Sequence, residues 1–90
     1  MKEKEHYKVV IRLKQVGSAP ILKQQVFKLS SANTFQKVIQ YIKKELQQSV
    51  YVYVNSAFCP SPDDLLYDLD QMFGLEGTLL VNYSTTPAWG

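Results

Sequence analysis

Between Tyr7 and Lys14 the chain alternates. Tyr7, Val9, Ile11 and Leu13 fall on one face, and Lys8, Val10, Arg12 and Lys14 on the other. A period of two predicts a strand with one buried face. Val16-Gly17-Ser18-Ala19-Pro20 gathers turn formers, and Ile21–Ser30 alternates more weakly. A second strand closing an antiparallel hairpin is predicted there. Val26 and Phe27 are adjacent within it, so one of the two must face away from the core.

The period then changes. Phe35, Val38, Ile39, Ile42 and Leu46 recur at helical spacing, predicting an amphipathic helix of about four turns. Ser30-Ser31-Ala32-Asn33-Thr34 supplies its start, with Asn33 as the expected cap and Gln36 three residues on. Val50–Asn55 is a short β-rich run, and residues 56–61 are a loop. Ser61-Pro62-Asp63-Asp64 reads as a second helix start, with a serine cap, proline at the first helical position and acids in the first turn. Leu65, Leu66, Leu69, Met72 and Phe73 form its apolar stripe, and Gly74 is expected to stop it in a left-handed cap. Gly77 makes a turn before a last strand over Thr78–Ser84.

The order is strand, strand, helix, strand, helix, strand. A right-handed crossover through the first helix returns the chain to a mixed sheet, and the last strand is expected beside the first. The expected fold class is α+β, a β-grasp with a mixed four-stranded sheet packed on one long helix. Residues 1–6 are expected to be a flexible leader, 7–84 the domain, and 85–90 an extended tail.

Composition narrows the function. Ninety residues, 46% hydrophobic and 20% charged, suit one small folded domain. No apolar run approaches a membrane span, and no secretory signal opens the chain. A lone cysteine, Cys59, rules out an internal disulfide scaffold, so a reducing, intracellular setting is expected. The charge is unevenly spread. All ten Lys and Arg lie within Met1–Lys44 against Glu3 and Glu5, a formal +8, whereas Glu45–Gly90 holds six acids and no Lys or Arg, a formal −6. Such a split fits either a basic arm for nucleic acid or a dipole across one fold. With the last strand beside the first, Lys8, Arg12, Lys14, Lys23 and Lys28 decorate the hairpin, and the acids gather around the second helix.

Little catalytic chemistry is available. Cys59 would need a base, and the one histidine, His6, sits in the leader. Asp63 and Asp64 are explained as helix-start charges, and Asp68 and Asp70 diverge around a helix. No metal site and no catalytic residue are expected. Val52-Tyr53-Val54-Asn55 is like the shorter strand motif of RNA-recognition domains, but the partner motif is missing. Phe58 sits in a loop stiffened by Pro60 and Pro62, either as an interface anchor or folded back as a lid. In Thr85-Thr86-Pro87-Ala88-Trp89-Gly90, Pro87 keeps the segment extended. A terminal glycine lets a carboxylate enter a narrow channel without a side chain in the way.

Several segments resemble one family. They are Gly17-Ser18-Ala19-Pro20-Ile21-Leu22-Lys23, Tyr53-Val54-Asn55-Ser56-Ala57-Phe58-Cys59-Pro60-Ser61-Pro62-Asp63, Leu66-Tyr67, Phe73-Gly74, Asn82-Tyr83 and Ala88-Trp89-Gly90. Together they resemble the autophagy-related ubiquitin-like protein 12 family, from Lys8 to Gly90. The resemblance implies a protein modifier rather than an enzyme. Gly90 would be the acyl donor, supported by Ala88 and Trp89. It would be adenylated by a ubiquitin-like activating enzyme using ATP, with no cofactor bound by the chain itself. It would then pass through a conjugating enzyme to a lysine of autophagy protein 5. The conjugate, with a coiled-coil autophagy protein, would promote lipidation of ubiquitin-like protein 8. The resemblance also implies partner contacts at Tyr53 and Phe58, and at Lys8, Val26 and Phe27. Relatives often carry a basic residue and Trp where this chain has Val26 and Phe27. The implied location is cytoplasmic, with recruitment to the phagophore assembly site, indirect membrane contact and no nucleic acid. A non-covalent binding module using Tyr53 and Phe58 is the alternative.

Overall fold

A computed structural model describes residues 7–55 and 58–86. Six elements follow in order: β1 (Lys8–Gln15), β2 (Val26–Ser30), α1 (Gln36–Leu46), β3 (Tyr51–Val54), α2 (Leu66–Phe73) and β4 (Thr78–Ser84). The sheet order is β2-β1-β4-β3, with β1 antiparallel to β2 and parallel to β4, and β3 antiparallel to β4. The mixed four-stranded sheet with both expected helices is the expected β-grasp, except that its core packs against both helices rather than on one long helix. Among the described residues no helix is long and apolar enough to cross a membrane.

Register sets the core. Ile11 lies opposite Phe27 and beside Leu79, Leu13 beside Val81, and Tyr83 between Gln15 and Val52. Cross-strand partners share a face, so Val9, Ile11, Leu13, Val52, Val54, Leu79, Val81 and Tyr83 present one apolar surface. Phe35, Val38 and Ile42 from α1 and its start, with Leu66 and Leu69 from α2, complete that buried cluster. Each of these five is fully buried, and Ile39, Leu46 and Phe73 pack against them as periodicity predicts. Met72, also expected on the second stripe, is 62% exposed, because Leu66, Leu69 and Phe73 already fill the inward side of this short helix.

Four details depart from the sequence reading. First, β2 begins at Val26, not Ile21. The preceding loop leaves the sheet so that Ala19 and Leu22 can be buried in the core, while Ile21 is exposed. Second, α1 is an 11-residue helix, about three turns, and Asn33 does not cap it. The Asn33 amide donates instead to the Ser30 carbonyl. The N–H groups of Phe35 and Gln36 donate to the carbonyls of Asp64 (2.8 Å) and Pro62 (3.0 Å). In return, Leu66 and Tyr67 donate to Asn33 (2.9 Å) and Ser31 (3.0 Å). The two helix starts thus cap each other through backbone, satisfying amides that a helix leaves unpaired.

Third, α2 starts at Leu66 because Leu65 is extended, with ψ 142°. Ser61–Asp64 forms a separate turn closed by Asp64 N–H to the Ser61 carbonyl (3.0 Å). That turn aims the Pro62 and Asp64 carbonyls at α1. Fourth, Gly74 is not left-handed; its φ is −67° and ψ 151°. A Cβ there would collide with the Asp70 side chain and carbonyl, so space rather than φ requires glycine. The left-handed conformation is taken instead by the following Glu76 (φ 55°) and Gly77 (φ 79°). Positive φ at both central positions is the signature of a type I′ turn, here joining Leu75 to Thr78.

The Tyr83 hydroxyl donates to the Pro20 carbonyl at 2.7 Å and fastens the β1–β2 loop to the sheet. Burial raises the Tyr83 phenol above the ordinary tyrosine range, partly offset by a backbone hydrogen bond at Leu22. Burial likewise raises Tyr7 and Tyr41. The neutral phenol is the form these sites favour. Their contribution to stability is therefore full below the unfolded tyrosine pKa of about 10 and falls as pH rises from there through the folded values. Denaturation titrations at pH 8 and above pH 10 are expected to show this loss. Tyr83→Phe should reduce the alkaline loss while lowering neutral stability by about 1 kcal/mol.

Candidate functional site

The fold brings Lys8, Val26 and Phe58 to its surface, leaves Phe27 half-buried and buries Tyr53. β4 lies between β1 and β3, so the C-terminal segment departs from the middle of the sheet. Ser84, the last residue of β4, bonds to Thr86 on that departure. Ala88, Trp89 and Gly90 lie outside the described residues, as do His6 and the rest of the predicted leader.

Phe58 follows a tight reversal after β3. Val54 and Phe58 exchange backbone hydrogen bonds of 2.6 and 3.0 Å, and Asn55 takes φ 59°, a left-handed conformation that asparagine tolerates better than most residues. The Phe58 ring stacks on Phe73 of α2, with centroids 5.1 Å apart at 29°, yet remains 41% exposed. Anchor and lid are therefore not exclusive: one side of the ring is held by α2 while the side chain still presents apolar surface. Pro60 behind it is buried, which fixes the loop. Cys59 is a free, exposed thiol.

Tyr53 has a different setting. It alternates with Val52 and Val54, so it points to the face opposite the core, where it pairs in register with Asn82. Only 7% of it is exposed. Phe58 is bridged to Val54 instead, so the structure separates Tyr53 and Phe58 to opposite sides of β3.

On β2, Val26 is the outward residue, and Phe27 packs against Tyr41 at 4.8 Å between ring centroids. Tyr41 is tied to the same hairpin by its hydroxyl, which donates to the Gln24 carbonyl at 3.0 Å. Val26 lies opposite Arg12 and Lys8 opposite Ser30, so Val26, Lys8, Arg12 and Lys14 share the open face of the sheet. Lys28, paired with Val10, joins them.

A groove of about 560 Å³ lies on this side, lined in part by Arg12, Lys14, Gln25, Leu75 and Leu80. Leu75 and Leu80 are exposed and were not anticipated as site residues. The adjacency of Leu79 and Leu80 holds the signal, since only one of two neighbours in a strand can enter the core.

The two charge halves meet in one fold. β1 and β4 are parallel neighbours, and the Tyr7 hydroxyl donates to an Asp70 oxygen at 2.8 Å. Asp63, Asp64, Asp68 and Asp70 lie on α2 or its approach, and Glu76 is in the following turn. Among the described residues no group of three or more His, Cys, Asp or Glu is placed to hold a metal ion.

Comparisons with known proteins bear on the family and the fold. Residues 8–90 match the family model for the ubiquitin-like autophagy protein Apg12. The chain is 50% identical over 84 residues to the ubiquitin-like protein ATG12 of Medicago truncatula, covering 92% of this chain and 88% of that protein. It is 48% identical over 86 residues to ATG12 of Cryptococcus neoformans, covering 91% and 82%. With ATG12 of Schizosaccharomyces pombe, identity is 39% over 93 aligned positions, covering 99% and 70%.

Among solved structures, Trypanosoma brucei ATG8 superposes with a TM-score of 0.73 at 20% identity, covering 86% of this chain and 72% of that one. Plasmodium falciparum Atg8, solved in complex with an Atg3 peptide, gives 0.71 at 20% identity, covering 90% and 76%. These two likenesses show a shared fold.

Proposed function

Because the chain belongs to the Apg12 family of ubiquitin-like autophagy proteins, we propose that it is a protein modifier, not an enzyme, with Gly90 as its acyl donor. The observation carrying this reading is the family match over residues 8–90, which takes in the Ala88-Trp89-Gly90 segment. The β-grasp fold supports it. The Gly90 carboxylate attacks the α-phosphate of ATP on an activating enzyme, releasing pyrophosphate and forming an acyl adenylate. A cysteine thiolate of that enzyme displaces AMP to give a thioester. A second thiol, on a conjugating enzyme, takes the acyl group and frees the first. A lysine amine of autophagy protein 5 then displaces the second thiol and loses a proton, leaving an isopeptide bond.

In this reading the described domain supplies recognition, and the chemistry belongs to partner enzymes. The conjugate acts with a coiled-coil autophagy protein to promote lipidation of ubiquitin-like protein 8. It is cytoplasmic and meets the phagophore assembly site through its partners. Intact-mass analysis of adducts isolated from cells tests the proposal. A mass equal to this chain plus autophagy protein 5 less one water, with a branched peptide at Gly90, is expected. Only unconjugated chain, under conditions that induce autophagy, would overturn it.

The exposure of Phe58 supports a docking role beside the covalent one. Phe58→Ala should weaken non-covalent association with autophagy protein 5 roughly tenfold or more, as a buried aromatic anchor does. The variant should remain folded, because the ring is already partly in water. Titration calorimetry with the isolated partner checks this, and unchanged affinity would remove Phe58 from the interface.

A further inference from the structure

We propose that Ser84 is a positioning residue for capture of the C-terminal tail, acting through Thr86. This rests on the acyl-donor role of Gly90. The Ser84 hydroxyl donates to the Thr86 carbonyl at 2.8 Å and accepts from the Thr86 N–H at 3.1 Å. Its oxygen also lies 3.3 Å from the Thr86 hydroxyl. A serine hydroxyl has one proton to give and two lone pairs to offer. With its proton on the Thr86 carbonyl, it accepts from the Thr86 hydroxyl, and its whole capacity is spent on one residue.

Ser84 can hold Thr86 because Ser84 is itself held. It is only 5% exposed, and its backbone is paired with Tyr51 of β3. The preceding Tyr83 is anchored to β1 by the Val16 N–H, which donates to the Tyr83 carbonyl at 2.8 Å. The clamp therefore transfers the orientation of a central strand to the second residue beyond it. Gly90 follows four residues after Thr86. Fixing Thr86 lowers the cost of ordering residues 85 and 86 when an enzyme channel takes the tail. A residue with no hydroxyl at position 84 would leave residues 85 and 86 to be ordered on capture.

Initial rates of thioester formation test this, with the full chain, its activating enzyme and ATP–Mg²⁺. Ser84→Ala should raise KM for the chain about tenfold, comparable with ordering roughly one additional residue, with kcat within about twofold of wild type. Ser84→Thr retains the hydroxyl and should return KM towards the wild-type value. In parallel, the Thr86 amide should exchange at least about tenfold faster in Ser84→Ala and remain protected in Ser84→Thr, a local readout of the clamp itself.

An unchanged or lowered KM in Ser84→Ala, beside a normal wild-type thioester, would overturn this inference alone. So would failure of Ser84→Thr to restore KM. Absence of any wild-type thioester would overturn the Gly90 reading, and the positioning role with it.

Discussion

Deletion of Gly90 is expected to reduce thioester formation with the activating enzyme to below about 1% of wild type, on the reasoning that misplacing a reacting group by only an ångström can cost about a hundredfold. The shortened chain still ends in a carboxylate, so the reactive group is chemically intact. Its position is not. Removing one residue shortens the reach of the chain by up to about 3.5 Å. The new terminal residue, Trp89, also carries an indole where glycine has none. Both changes act on a reaction that needs near-contact alignment between carboxylate and phosphate. The measurement is non-reducing electrophoresis and intact mass after incubation with enzyme and ATP–Mg²⁺, with thiol treatment to confirm the thioester. Circular dichroism of the deletion variant should match wild type, because the folded elements end at Ser84. A thiol-sensitive adduct of undiminished yield would end the acyl-donor assignment.

Phe35→Ala is expected to produce the largest loss of stability from one side chain, about 3–5 kcal/mol. Phe35 is fully buried at the start of α1. Its carbonyl accepts from both Val38 and Ile39, and its N–H donates to Asp64. Truncation therefore opens a cavity at the junction of α1, the α2 approach and the sheet. Small domains have roughly 5–15 kcal/mol in total, so a large share of this protein's stability depends on that ring. With a slope near 1 kcal/mol per molar, the urea midpoint should fall by roughly 3–5 M.

Phe58→Ala makes the contrast. It deletes the same ring where 41% of the residue is already in water and should cost less than half as much stability. Equal midpoints for the two variants would show that Phe35 is not the keystone its burial indicates.

Much of the architecture is legible in one pass along the chain. The β1 alternation identifies Val9, Ile11 and Leu13 as core, and the helical spacing identifies Phe35, Val38 and Ile42. The adjacency argument at Val26 and Phe27 identifies that one turns outward, and Val26 is the one that does. Each of these signals lies within a few residues of the position it describes. The candidate site is less legible. Phe58 stands out because prolines flank it, but its stacking on Phe73 joins segments 15 positions apart. Tyr53 and Phe58 fall in one motif and are separated in space by the alternation of β3. Leu75 and Leu80 meet Arg12 and Lys14 because β4 pairs beside β1, which no local pattern specifies.

Sequence alone determined the element types, the helical stripes apart from the exposed Met72, the apolar face of the sheet and the unequal division of charge. These follow from side-chain periodicity, which is a property of neighbours. Tertiary structure decided how the helix starts are satisfied. Local signals nominate Asn33 and Ser61 as caps, yet the fold places the Pro62 and Asp64 carbonyls against the amides of Gln36 and Phe35. Backbone groups that meet across the chain can satisfy one another as well as a side chain can, and a buried amide requires only that some acceptor be there. Tertiary structure likewise decided that Gly74 is needed for space beside Asp70, and that the +8 and −6 halves share one core. Pairing β4 beside β1 brings the first and last strands together, and that long-range contact puts both charge halves into a single fold.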